Sequence, residues 1–314
     1  MTEQQQVSEQ MAKAVQELLK DTMQVTLNQI IKNNGVNLTA ITGERDGLGT
    51  NVYVDHDIQM IMDGETTVED VAARIAGVLQ AQAEEAPFTS SGVREMFEHP
   101  EPDRILLKVV NRDQNSEMLR TTPHRDIHGD LSAIASYRVS DEASAVITHS
   151  IAAQMGMTAS EIIDHAIRNA SNEEHTVQSM AEILAESMGM SPEEAKMMFG
   201  SDDSMIVVTN SDKRFGAGDI FVDKTLREQV AEKMGGDFYI IPSSIHEVIC
   251  VRSDTMSPEQ AATMIREVNA NEVRPEEVLS NHPYLVNAET LKISNPCVEQ
   301  AERVADTVRH SAHM

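Results

Sequence analysis

Hydrophobic positions near the start of the chain recur at helical spacing. Val7, Met11, Val15, Leu18, Leu19, Val25 and Ile30 alternate with Gln, Glu and Lys, which predicts one long amphipathic helix. Asn33-Asn34-Gly35 closes it, because Asn and Gly tolerate the left-handed conformation that ends helices. The period then shortens. VNLTAI (36–41) and NVYVD (51–55) read as strands, joined by a hairpin loop, GERDGLGT, that holds Gly43, Gly47 and Gly49. ETTVEDVAARIAGVLQAQ returns to helical spacing, opened by Thr66 with Glu69 three residues on as a capping box.

Further along, RILLKVVN (104–111) and LSAIASYRV (131–139) are strands by pattern. Two helix–turn–helix corners share one design: Gly156 precedes TASE (158–161) and Gly189 precedes SPEE (191–194), with Pro192 suited to a first helical position. Two occurrences fall short of a solenoid. The second half predicts strand 204–210, a turn at Phe215-Gly216-Ala217-Gly218 and a helix over 223–234 stopped by Gly235-Gly236. Strands 237–242 and 247–253 follow, then a helix from SPEQ (257–260) through Val268. Strands and helices mix without the strict alternation of a doubly wound parallel sheet. The class is therefore α+β, with mixed sheets and β-hairpins packed by helices, plus the long N-terminal helix. The reading divides the chain into a helix over 1–35 and two α+β halves, 36–150 and 151–314. No Pro/Ser/Gly linker marks the boundary between the halves, so a single domain fits as well.

Composition narrows the function. A 40% hydrophobic share over 314 residues supplies ample core, and 19 Met with no Trp make that core aliphatic and adaptable. With 25 Lys+Arg against 51 Asp+Glu the formal charge is −26. Such a charge repels nucleic-acid backbones and anionic membranes, and leaves a solvated surface or one that meets a basic protein. Cys250 and Cys297 alone build neither a disulfide framework nor a four-thiolate zinc site. With no leader-like start and no apolar run of spanning length, a cytosolic protein is expected. GERDGLGT lacks the GK[ST] of a phosphate-binding loop, and no cofactor is expected.

Two segments carry candidate chemistry. IPSSIHEVI (241–249) reads either as a tight turn between two strands or as a nucleophile, Ser244, with its base, His246. Continued strand alternation would put His246, Val248 and Cys250 on one side and Glu247, Ile249 and Val251 on the other. A His246–Glu247 dyad then needs a bulge, whereas Ser244 with His246 stays open. TTPHRDIHGD places His124, Asp126, His128 and Asp130 at alternate positions, a set that on one strand face could bind Zn, Mn or Fe. Pro123 and Gly129 interrupt that strand, and the alternative is a polar loop with no metal, since the spacing matches no known ligand set. His149, His165 and His175 read as surface residues on helices.

IPSSIHEV and EVNANEVRPEEVLSNHPYLV (267–286) resemble an uncharacterised bacterial family that occurs on phage and mobile-element sequences and carries a domain of unknown function. The positions concerned are Pro242, Ser243, Ser244, His246, Glu247, Asn269, Ala270, Val273, Pro275, Glu276, Val278, Leu279 and Ser280, in a resemblance spanning about 36–286. It implies no activity. It groups the polar turn at 243–247 with Asn269 as one recurring feature, with Asn269 a binding candidate or a helix cap. The expectation is a non-enzymatic interaction or regulatory protein of a mobile element or its host, acting through the N-terminal helix or the acidic surface. The alternative is an esterase- or peptidase-type hydrolase using Ser244 and His246. The apolar helix stripe is expected to fold back on its own body, favouring a monomer over a dimer.

Overall fold

In the computed structural model, which describes residues 2–85, 89–140, 143–191, 194, 197, 204–211 and 215–296, the chain divides into two units, residues 1–100 and 101–314.

The first unit opens with α1 (Glu3–Leu19), whose capping box joins Thr2 and Gln5. The helix ends at Leu19 and not at residue 35, because Gln24–Ile31 is a strand, β1. Val25 and Ile30 fit a helical stripe by position. The segment QVTLNQII nevertheless exposes and covers side chains with the two-residue period of a strand over much of its length. β1 pairs antiparallel with β2 (Asn37–Arg45), from Gln24 opposite Glu44 to Ile31 opposite Asn37. Asn34 and Gly35 are left-handed and make the turn. β3 (Leu48–Tyr53) returns along β2 around Asp46 and Gly47, both left-handed as a two-residue hairpin turn requires. Most of GERDGLGT is thus paired strand and not loop.

Three helices follow, α2 (Asp55–Met62), α3 (Val68–Glu85) and α4 (Ser90–Glu98). The Thr67 side chain, one residue beyond the expected Thr66, accepts the Asp70 N–H at 3.2 Å. Met11, Val15 and Leu19 of α1 pack with Ile41, Val54, Ile58, Ile75 and Leu79 as the core of this unit. Burying each such side chain contributes roughly 1.5–3 kcal/mol. The helix therefore docks on its own unit, while Leu18, expected in the stripe, is 56% exposed.

The second unit begins with β4 (Ile105–Asn111), α5 (Ser116–Leu119), β5 (His124–Asp126), β6 (Leu131–Arg138) and β7 (Ser144–Val146). β6 lies between β4 and β5, and β7 also pairs with it. After α6 (His149–Gln154) and the left-handed Gly156, Thr158 and Glu161 close the expected capping box on α7 (Ala159–Ala170). α7 packs against β4 and β6, so the stretch around 140–155 is internal to this unit.

β8 (His175–Ser179), α8 (Met180–Ser187), β9 (Met205–Asn210), α9 (Asp219–Val222) and α10 (Lys224–Met234) come next. The chain continues through β10 (Phe238–Ile241), β11 (Val248–Arg252), α11 (Pro258–Asn271), β12 (Tyr284–Val286) and β13 (Ile293–Ser294). These strands form an antiparallel sheet in the order β13-β12-β10-β11-β9-β8. Ala261 and Ile265 of α11 cover Tyr239, Ile241 and Val251 on one face. Ser191 accepts the Glu194 N–H as the second corner predicts, whereas Pro192 and Cys297 lie outside the described residues. The class is α+β, and among the described residues no helix is long and apolar enough to cross a membrane.

Candidate functional site

β10 and β11 form the expected antiparallel hairpin, with Ile241 opposite Ile249, but Pro242–Glu247 is an open loop and not a tight turn. The reason lies on the other side of β10. Beyond the regular β10–β12 pairs the chain meets itself again in a shifted register: Ser244 and Val278 form an isolated antiparallel bridge, the Ile245 N–H donates to the Glu277 carbonyl at 2.9 Å, and the Ser280 N–H donates to the Pro242 carbonyl at 3.0 Å. The two strings that carry the family resemblance, PSSIHEV and RPEEVLS, are therefore bonded to each other through their backbones. β11 starts at Val248, so the alternation expected from His246 onward does not extend to His246 and Glu247.

His246 faces a carboxylate, and it is Glu277. Its Nε2 lies 3.7 Å from Glu277 Oε1, while Glu247 is exposed. Nδ1 accepts the Phe215 N–H at 3.4 Å, and the two rings tilt against each other at 5.4 Å. The Phe215 ring also meets Lys108, whose Nζ sits 3.9 Å from the ring centre. Phe215 adopts φ 58°, a left-handed conformation that a bulky residue holds only when its surroundings impose it. They do. A Cβ on Gly216 would lie 2.4 Å from the Asn210 nitrogen, and one on Gly218 would lie 2.5 Å from Val109 Cγ2. The turn at 216–218 is thus wedged between β9 and β4. Ser244 Oγ accepts the His246 N–H at 3.1 Å, and the His246 carbonyl accepts from Thr209 Oγ1 at 3.0 Å.

Ser280, fully buried, ties this loop to the rest of the unit. Its hydroxyl donates to Asp130, which also accepts from Asn111 at 2.7 Å and from the Tyr284 hydroxyl. Burial, and then the Asp130 charge, push the Tyr284 phenol upward. Asn269 lies inside α11 and is not its cap; its amide donates to the Ser280 carbonyl at 3.0 Å and to Asn281 Oδ1 at 2.9 Å.

The four alternating residues of HRDIHGD separate. β5 ends at Asp126, and Gly129 turns the chain in a left-handed conformation. His124 donates to the Thr122 carbonyl, Asp126 accepts from Ser132 Oγ at 2.6 Å, and His128 donates to the Phe221 carbonyl at 3.2 Å. Burial lowers the His128 pKa. Among the described residues no three His, Cys, Asp or Glu side chains converge as metal ligands.

A second histidine–carboxylate pair has no counterpart in the motif reading. His175 begins β8 and is not a surface helix residue; its Nε2 lies 3.0 Å from Asp219 Oδ2, with both side chains buried. Burial pushes Asp219 up to about 6 against the pull of His175. Burial also opposes charge on His175, yet the Asp219 hydrogen bond and the nearby Asp223 and Glu173 charges raise its pKa. A cleft of about 430 Å³ opens beside it, lined by Glu173, Thr176, Ser211, Asp223 and Thr225 among others. An imidazole biased toward its protonated form beside three carboxylates is a poor general base. Cys250, the described cysteine, is buried in β11, and burial pushes its thiol up.

Comparison with curated proteins and with solved structures finds no match. A family described as a family of unknown function (DUF5688) matches residues 4–287, which takes in α1 as well as the 36–286 span of the resemblance. With nearly the whole chain matched, from the first helix through the bridge that joins PSSIHEV to RPEEVLS, the protein belongs to that family, DUF5688.

Proposed function

We propose that this protein works by binding a basic protein segment and not by hydrolysis. The observation that supports this reading is the engagement of His246. Nδ1 accepts the Phe215 N–H, so the ring proton sits on Nε2, which faces Glu277. Neither ring nitrogen is left to take a proton from Ser244, whose oxygen already accepts the His246 N–H. What the bridge and its flanking hydrogen bonds do build is a platform, with Ile245, His246 and Glu247 on one loop and Arg274, Glu276 and Glu277 on the other. Loops held by a rigid frame are where recognition concentrates. Three of those six side chains are carboxylates on a chain of charge −26, which favours a partner that presents Lys or Arg. α1 spends its stripe inside its own unit, so the acidic surface and not the helix is the contact we assign. A cytosolic setting accords with a composition of two cysteines, one of them a buried thiol. Service to a mobile element or its host extends the resemblance.

Two measurements test the reading. Capture from host lysate should retain a stoichiometric partner on the wild type and lose it on the Glu247→Lys, Glu276→Lys double variant, with weaker retention at high salt. A serine-reactive probe should label wild type and Ser244→Ala equally little. Labelling that disappears in both Ser244→Ala and His246→Ala would establish the hydrolase instead.

A further inference from the structure

β1 is an edge strand of the first unit, since that sheet runs β1-β2-β3. Edge strands are usually guarded by charges, proline or a bulge, because their free backbone groups invite another strand. β1 has none of these. QVTLNQII contains no charged residue and no proline in a chain that is 24% charged, and its pairing with β2 runs without interruption.

The free groups can be assigned. The Val25 N–H is taken by Gln16 Oε1 at 2.8 Å, and Gln16 Nε2 donates to the Met23 carbonyl at 3.3 Å. A side chain of α1 thus stands in for a neighbouring strand at the start of β1. Residues two apart present their backbone to the same edge, so beyond that cap the outward N–H and C=O groups belong to Leu27, Gln29 and Ile31, and no described residue takes them up. Their side chains share the sheet face of Val25. Leu27 packs against the core, but Ile31 runs past it and is 73% exposed.

We propose that β1 is a self-pairing edge, along which two copies of the chain join antiparallel with Gln29 opposite Gln29 at the two-fold axis. This register sets Leu27 of one copy beside Ile31 of the other at both ends, giving the exposed isoleucine an apolar neighbour in a cross-strand pair. Charge selects a second copy as the occupant. In a two-fold contact every residue meets the same surface on its partner, so a chain of charge −26 repels itself wherever the contact carries net charge. An uncharged strand escapes that repulsion, and it offers a basic partner nothing that the acidic surface does not offer better. The fold-back of α1, which at the level of sequence argues for a monomer, leaves this edge open. The inference is independent of the platform in the second unit.

Sedimentation of the full-length chain over a concentration series tests it. Wild type should show a reversible monomer–dimer equilibrium. Gln29→Pro, which removes the N–H at the axis, and Ile31→Lys, which puts two like charges into the contact, should each weaken dimerisation at least tenfold. Far-UV dichroism and melting temperature should stay unchanged for Ile31→Lys, whose side chain is mostly in solvent, even if the proline variant misfolds. A wild type that remains monomeric at high concentration overturns the proposal, and so does a dimer that Ile31→Lys leaves intact.

Discussion

His175 and His246 each face one carboxylate in the same unit, yet the two pairs occupy opposite environments. The His175–Asp219 pair closes at 3.0 Å with side chains 7% and 4% exposed, whereas His246–Glu277 stands at 3.7 Å with 34% and 30% exposed. Burial makes the first pair a structural commitment: each member, left alone, would be a buried polar group without its hydrogen-bond partner. Partial exposure makes the second pair weak in energy but reachable by a partner. The difference shows that a histidine–carboxylate contact has no fixed meaning. Solvent access, and what the remaining nitrogen does, decide between a strut and a surface.

The largest expected effect breaks the buried pair. Asp219→Ala strands His175 beside an apolar hole and should cost roughly 3–5 kcal/mol in chemical denaturation. A loss no larger than that of the exposed pair would erase the contrast. Next comes the frame of the half-open pair. Gly216→Ala drives a Cβ to 2.4 Å from the Asn210 backbone nitrogen, and the repair should cost about 1–3 kcal/mol. It should also shift Phe215 away from His246, which amide chemical shifts of the 215 and 246 positions would report.

A titration sharpens the same comparison. Asp219 is raised to about 6 from 3.8, and His175 is raised above 6.5. Both shifts mean that the folded pair holds its protons more tightly than the unfolded chain does. Its stabilising contribution is therefore fully present at acid pH and declines as pH rises through about 6 and on through the imidazole range. The stability difference between wild type and the Asp219→Asn, His175→Gln double variant should narrow from about pH 5 to about pH 8. A difference that widens over that interval would contradict the assignment. The smallest effect belongs to Glu277→Ala, which should cost less than about 1 kcal/mol while abolishing partner capture if the platform is the recognition surface.

The hydrophobic pattern located β4, β6, β9, β10 and β11 within a residue or two, because these strands are short apolar runs bounded by turn residues. Caps at Thr158 and Ser191 were legible for an equally local reason: a hydroxyl and a carboxylate three residues apart satisfy the first turn of a helix whatever surrounds it. β1 was not legible as a strand. Val25 and Ile30 suit a helical stripe, and only pairing with β2 shows which period applies. PSSIHEV and RPEEVLS could be marked as related strings, but their partnership could not be read from either, since it arises from an isolated bridge and backbone hydrogen bonds between distant segments. Glu277 had no signal except its place in the second string.

What the sequence determined by itself is local or summed over the whole chain: the α+β class, the helix caps, the strand cores and the strong negative charge. These depend on neighbours a few residues apart or on totals over the chain. The tertiary structure alone decided which carboxylate meets which histidine, that Asp130 serves Ser280 and Tyr284, and that β1 lies at the edge of its sheet. Each of these joins residues distant in sequence, as with the 150 positions between Asp130 and Ser280. Such contacts follow from how strands are ordered in a sheet, and side-chain periodicity carries no record of that order.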